Sequence, residues 1–146
     1  MARAVLVYHR GDTLYAVPQG RTARHGHCEI APVRVVQRAE SAVGVGEALL
    51  AALADSGVLV EPDPPQDARS PVEEAAGATS WKTFIRGTAA CDLEQTDAGY
   101  VVSALEPARG GAFEFPKQAT LSLPPASTPE ELGHAVLRVI DQCERH

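Results

Sequence analysis

The sequence predicts an α+β protein made of two pseudo-repeated β-β-β-α units that form a mainly antiparallel or mixed sheet backed by two helices. Three observations predict it. Short Val-, Leu- and Tyr-rich runs recur between turn residues. Each series of runs ends in an amphipathic helix. The two series also match without gaps at an offset of 87 residues (133 − 46), where Gly46 meets Gly133, Ser41 meets Thr128, Val36 meets Leu123, Leu14 meets Val101 and Leu6 meets Leu93.

In the first unit, residues 4–8 and 14–17 are β-rich and separated by Arg10-Gly11-Asp12-Thr13, which predicts a hairpin. Residues 19–27 are polar and glycine-containing and predict a loop, and residues 29–36 predict a third strand. Ser41 then caps a helix whose apolar stripe is Val45, Ala48, Leu49, Ala52, Leu53 and Ser56, with Gly57 past its end as the C′ residue. Residues 58–79 carry Pro62, Pro64, Pro65 and Pro71 beside Asp63, Asp67, Glu73 and Glu74. This composition predicts an acidic, proline-rich linker with at most a short helical turn at 72–76. The chain therefore divides into halves 1–57 and 80–146 within a single domain, 1–146.

In the second unit, residues 81–85, 89–94 and 100–105 predict strands, the last two joined at Asp97-Ala98-Gly99. Arg109-Gly110-Gly111 predicts a loop, Phe113 and Phe115 alternate onto one face, and Leu121 and Leu123 belong to a further short strand. The closing helix has a complete start pattern: Thr128 as N-cap, Pro129 at the first helical position and Glu131 at the third, which closes a capping box. Leu132, Ala135, Val136, Val139, Ile140 and Cys143 make its apolar stripe. Gly133 interrupts that stripe at roughly 1 kcal/mol relative to alanine, so it predicts a second backbone packed closely against it.

Composition narrows the function. The 146 residues suffice for a proper core, and an aromatic fraction of 5% makes that core mostly Val, Leu and Ala. A net charge of −6 argues against nucleic acid as the direct partner and suits docking onto a basic protein. Cys28, Cys91 and Cys143 are odd in number and widely spaced, which points to a reducing compartment rather than a disulfide frame. The apolar run 4–7 is too short for a signal peptide or a membrane span, so the expectation is a cytoplasmic protein with no membrane association.

Signatures of catalysis are missing: there is no P-loop, no G-x-S-x-G, no H-E-x-x-H, and Gly44-Val45-Gly46 lacks the third glycine of a dinucleotide fingerprint. His25, His27 and Cys28 come nearest to a metal site, but they lie in a glycine-containing polar stretch with no fourth ligand, so no metal or other cofactor is expected. Arg21, Arg24, His25 and His27 make a local basic loop, read as a solvated hairpin tip. His134 falls on the polar face of its helix and is read as exposed. Asp92, Glu94, Asp97 and Glu114 lie near strand ends of the second unit. Alternation with Cys91 and Leu93 turns Asp92 and Glu94 outward together, the arrangement of a solvent-facing edge or of a face that docks basic side chains more often than of a catalytic acid/base pair.

Trp81-Lys82-Thr83-Phe84, the strand around 92–94, the turn Gly110-Gly111-Ala112-Phe113 and the ending Pro125-Ala126-Ser127-Thr128-Pro129-Glu130-Glu131-Leu132-Gly133-His134-Ala135-Val136 resemble the immunity proteins of bacterial contact-dependent growth inhibition and related polymorphic toxin systems. The helix from Val45-Gly46 to Ser56 is similar to an earlier helix of that family. The resemblance implies a non-catalytic cytoplasmic inhibitor of the toxic C-terminal domain, often a nuclease, of a delivered effector. It carries over no contact residue, because the family is recognised by its scaffold. The contact surface proposed from the sequence is therefore Asp92, Glu94, Asp97 and Glu114. A small α+β enzyme or an adaptor module are the competing readings.

Overall fold

Two β-hairpins laid edge to edge form the middle of the molecule. The computed structural model describes residues 3–23, 26–61, 64, 69–114 and 120–146. In chain order its elements begin with β1 (Arg3–Arg10), β2 (Thr13–Thr22), β3 (Gly26–Glu29), β4 (Arg34–Gln37), α1 (Ala42–Asp55), β5 (Leu59–Val60), α2 (Pro71–Ala76) and α3 (Trp81–Ile85). They continue with β6 (Ala89–Thr96), β7 (Gly99–Ala104), β8 (Glu106–Pro107), a 3₁₀ turn at Arg109–Gly111, β9 (Phe113–Glu114), β10 (Thr120–Leu123) and α4 (Pro129–Gln142). The main sheet runs β10-β7-β6-β1-β2-β3, with β4 also on β2. All its pairings are antiparallel except that of the two-residue β5 with the end of β2.

Strand alternation splits the apolar residues between two cores, one on each face of the sheet. Val5 and Val7 of β1, Leu14 and Ala16 of β2, Cys91 and Leu93 of β6 and Val102 of β7 pack under α1 and α4. The opposite face buries Tyr8, Tyr15, Val17 and Ala90 beneath Val72 of α2 and Phe84 of α3. The fold is α+β as expected, but the sheet is covered on both faces rather than backed by one helix pair.

The repeat is visible in the pairing. Leu14 faces Val36 across β2 and β4, and Tyr100 faces Leu123 across β7 and β10. The helices each have 14 residues, start from hydroxyl N-caps at Ser41 and Thr128, and carry Gly46 and Gly133 as their fifth residues. The expected correspondences Ser41/Thr128 and Val36/Leu123 therefore hold at 87. Those of Leu14 with Val101 and Leu6 with Leu93 are corrected by one residue. Leu14 matches Tyr100 and Val7 matches Leu93, an offset of 86 (100 − 14, 93 − 7), because these pairs share the helix-covered core. A one-residue slip along a strand exchanges the two faces, so burial decides the match.

The unusual glycines have a single cause. A Cβ on Gly46 would sit 1.8 Å from the Pro129 carbonyl oxygen, and one on Gly133 would sit 1.9 Å from that of Ala42. Each helix thus presses its first turn onto the other's glycine, which is the close backbone approach that Gly133 predicted.

Three segments differ from the expectation. Residues 81–85 form α3 and not a strand, since the Ser80 hydroxyl accepts from the Thr83 amide and nucleates a helical turn. Residues 19–22 continue β2 and 26–29 pair with it as β3, so the predicted loop 19–27 is mostly hairpin and the predicted strand 29–36 is two strands, β3 and β4. The segment 58–79 is not bare linker: β5 joins the sheet, and α2 carries a capping box between Ser70 and Glu73 and buries Val72. Pro62, Asp63, Pro65, Asp67, Arg24, His25 and Phe115 lie outside the described residues.

Candidate functional site: an acidic cleft on the second face of the sheet

The face away from α1 and α4 is only partly covered, and the uncovered part is a cleft of about 480 Å³. Its floor is set by period-2 alternation. Ala4, Leu6 and Tyr8 point up from β1, and Asp92 and Glu94 point up from β6 beside them. Leu6 and Asp92 are register partners, as are Ala4 and Glu94. One side is closed by Gln19 of β2 and by His27 and Glu29 of β3. The other is closed by Trp81 of α3 together with Leu105 and Phe113.

The wall is rigid because its aromatic rings interlock. Tyr8 meets Trp81 at 6.0 Å and Phe84 at 5.4 Å between centroids, both edge-on, and Phe113 at 6.1 Å. The Trp81 indole N–H donates to the Gly111 carbonyl at 3.0 Å. Gly111 permits this approach, since a Cβ there would lie 3.2 Å from the indole nitrogen, and its φ of +79° suits glycine.

The cleft is acidic. The Tyr8 hydroxyl donates to one carboxylate oxygen of Glu29. Burial raises the Glu29 pKa against the lowering effect of that bond, and the other oxygen, Oε1, is buried with no hydrogen-bond partner among the described residues. Burial, and then the charge of Glu94, push the Asp92 carboxyl up to about 6. Tyr8 itself is held well above its ordinary pKa by burial and by Glu29. None of the described lining residues is Lys or Arg, and His27 is the only one that can carry positive charge. Asp92 and Glu94 thus stand together on the floor, with Glu29 on the far side of the cleft and no fixed cation among the described lining residues. A carboxyl near 6 beside a second carboxylate is a competent proton donor and acceptor. The described lining residues include no Ser, Thr or Cys nucleophile to accompany it.

Of the four acids singled out in the sequence, the fold brings Asp92 and Glu94 together on the cleft floor. Glu114 is exposed on β9, next to the lining residue Phe113, and Asp97 is exposed in the β6–β7 turn. Glu29, Tyr8 and Trp81 were not legible as site residues, because each joins the cleft through a tertiary contact. His134 is exposed and faces Glu130 at 3.7 Å. Alternation puts His27 and Glu29 on the cleft face, with Cys28 between them. Among the described residues no three His, Cys, Asp or Glu side chains gather as a metal site. No helix among them is long and apolar enough to cross a membrane.

No family model and no curated protein matches the chain. Two solved structures share its fold across almost its whole length. A protein of unknown function from Neisseria meningitidis superposes with a TM-score of 0.80 at 14% identity, covering 99% of this chain and 96% of that one. A chain of a CdiA-CT/CdiI toxin and immunity complex from Yersinia pseudotuberculosis superposes with a TM-score of 0.77 at 12% identity, covering 99% of this chain and 98% of that one. At these identities the likeness is one of fold.

Proposed function

We propose that this chain is a cytoplasmic immunity protein that binds the toxic C-terminal domain, of nuclease type, of a contact-dependent growth inhibition or related polymorphic toxin, and blocks it without chemistry of its own. The observation that carries the reading is the end-to-end likeness of fold to a chain of a toxin and immunity complex. The acidic cleft and the net charge of −6 support a basic partner, since complementary fields speed association. In this reading Asp92 and Glu94 lie at the centre of the contact, with Asp97 and Glu114 on its rim.

The test is co-expression with the toxin domain encoded beside it. Survival of the host and a complex that persists at micromolar concentration are the expected result. Death of cells making wild-type protein, with no complex formed, would remove the reading.

A further inference from the structure

Beyond α4 and its cap residue Cys143, the chain is fastened across the end of the sheet by Arg145 and His146. Arg145 Nη1 donates to the carbonyls of His9 and Gly87, both at 3.0 Å, and Arg145 Nη2 lies 2.7 Å from His9 Nδ1. The His146 backbone bridges to the chain before β6: its carbonyl accepts from the Gly87 amide at 2.9 Å, and its amide donates to the Thr88 carbonyl at 3.2 Å. The His146 ring ends the clasp, with Nε2 2.9 Å from the Ala112 carbonyl and the ring edge-on to Phe113 at 4.9 Å. Phe113 lines the cleft and meets Tyr8, so the clasp braces a cleft wall.

His9 holds this clasp shut. A guanidinium offers only N–H donors, so the short contact requires Nδ1 to accept, which it does only in the neutral ring. The single ring hydrogen is then on Nε2, which is buried with no partner among the described residues. The strand neighbours of His9, Leu14 of β2 and Ala89 of β6, are uncharged. The charged groups that act on the ring are Arg145, Arg38 from the turn after β4, and Asp141 of α4. Asp141 is itself paired with Arg38 at 2.5 Å. Burial and the two arginines hold the His9 pKa below the ordinary histidine value, against the weaker pull of Asp141 and the Gly11 backbone. A proton on Nδ1 would set N–H against N–H and place a buried cation beside a guanidinium.

We propose that His9 is a proton-operated latch: protonation of its ring expels Arg145, frees residues 144–146 from Gly87 and Thr88, and withdraws the brace from Phe113. No partner enters this device, so it is independent of the immunity reading. Other titrating groups do not open it. Asp92 and Glu29 hold protons more strongly in the folded state than in the unfolded one, so through them acid favours the closed fold. The His146 ring donates to the Ala112 carbonyl in either charge state, so its own protonation leaves that bond in place.

The test is hydrogen exchange of the full chain, followed by NMR at pH 7.5 and 5.5 and corrected for intrinsic exchange rates. The Gly87 and His146 amides are the readout, because both belong to the clasp. If only the open state takes the proton, with an ordinary histidine pKa of about 6.5, their protection should fall about tenfold between the two pH values. The amide of Leu93, in the sheet core, should stay better protected than either throughout. His9→Gln keeps an acceptor for Arg145 but takes no proton, so its loss of protection should be about twofold at most. Arg145→Ala, at an exposed position, should lower protection at pH 7.5 by about tenfold and bring the His9 ring titration back up toward the ordinary value. Unchanged wild-type protection between the two pH values, an equal loss in His9→Gln, or a His9 titration that Arg145→Ala leaves in place would each overturn the proposal. So would a Leu93 amide no better protected than Gly87, since opening would then be global unfolding. Should His9→Gln fail to fold, the His9 titration in Arg145→Ala decides alone.

Discussion

Leu6 and Asp92 lie directly opposite each other in the antiparallel pair of β1 and β6, and both line the cleft. They occupy equivalent positions of the two units, 86 residues apart (92 − 6), so the repeat meets itself at this pair. One unit puts an apolar side chain there and the other a carboxyl. The same sheet position thus packs in one half and carries charge in the other.

The pH dependence of stability follows from Asp92. Its pKa rises from 3.8 unfolded to about 6 folded, through burial and then the charge of Glu94. Between those values the folded protein keeps a proton that the unfolded chain has released. Stability therefore falls as pH rises through that window and stays lower above it. Glu29, which faces the same cleft, shifts in the same direction. Asp92→Asn should match wild type near pH 4 and exceed it by about 1–3 kcal/mol at pH 8, the upper figure being the full two-unit shift. Urea unfolding at the two pH values measures it. A variant less stable at pH 8 would contradict the raised pKa of Asp92.

The helix crossing is the most sequence-sensitive packing in the molecule. Gly46→Ala and Gly133→Ala should each destabilise by about 2–4 kcal/mol, since a Cβ meets a backbone carbonyl and only a shift of the whole helix relieves it. The gain of about 1 kcal/mol in helix propensity does not offset this. The double variant should lose less than the two losses combined, because the first substitution has already separated the helices. Denaturant titrations of the three variants test both statements.

Tyr8→Phe removes the hydroxyl that donates to Glu29. That bond lowers the Glu29 pKa against its burial. The carboxyl should therefore titrate higher in the variant when followed by NMR, with a stability loss of about 1–2 kcal/mol. An unchanged Glu29 titration would show that the bond does not form in solution.

Asp97→Lys and Glu114→Lys change exposed positions beyond the cleft floor. In the immunity reading they should slow toxin association several-fold at low salt and much less at high salt, with the dissociation rate nearly unchanged. Surface-based kinetics at two ionic strengths distinguish this from a central role, which would accelerate dissociation.

The sequence by itself determined the elements whose cause is local or periodic. The capping box at Thr128 and Glu131, the apolar stripes of the two long helices and the hairpin at Gly11-Asp12 depend on neighbours a few residues away, and they stand where the spacing put them. Alternation also sufficed to set Asp92 and Glu94 on one face. What that face meets was decided only in three dimensions. Trp81-Lys82-Thr83-Phe84 carries β-prone aromatic residues, yet it is helical because the Ser80 hydroxyl caps it and Phe84 buries completely beneath the sheet. The register of the repeat likewise depended on which face each strand residue shares with a helix, and one residue of slip looks equally good in a linear match. Glu29 lies far along the chain from Asp92, and only the packing of β3 against β2 carries it to the cleft. Charge, caps and periodicity act over a turn or two of chain and can be read directly. A cleft is made where separate segments stop short of covering one another, and no local pattern records that.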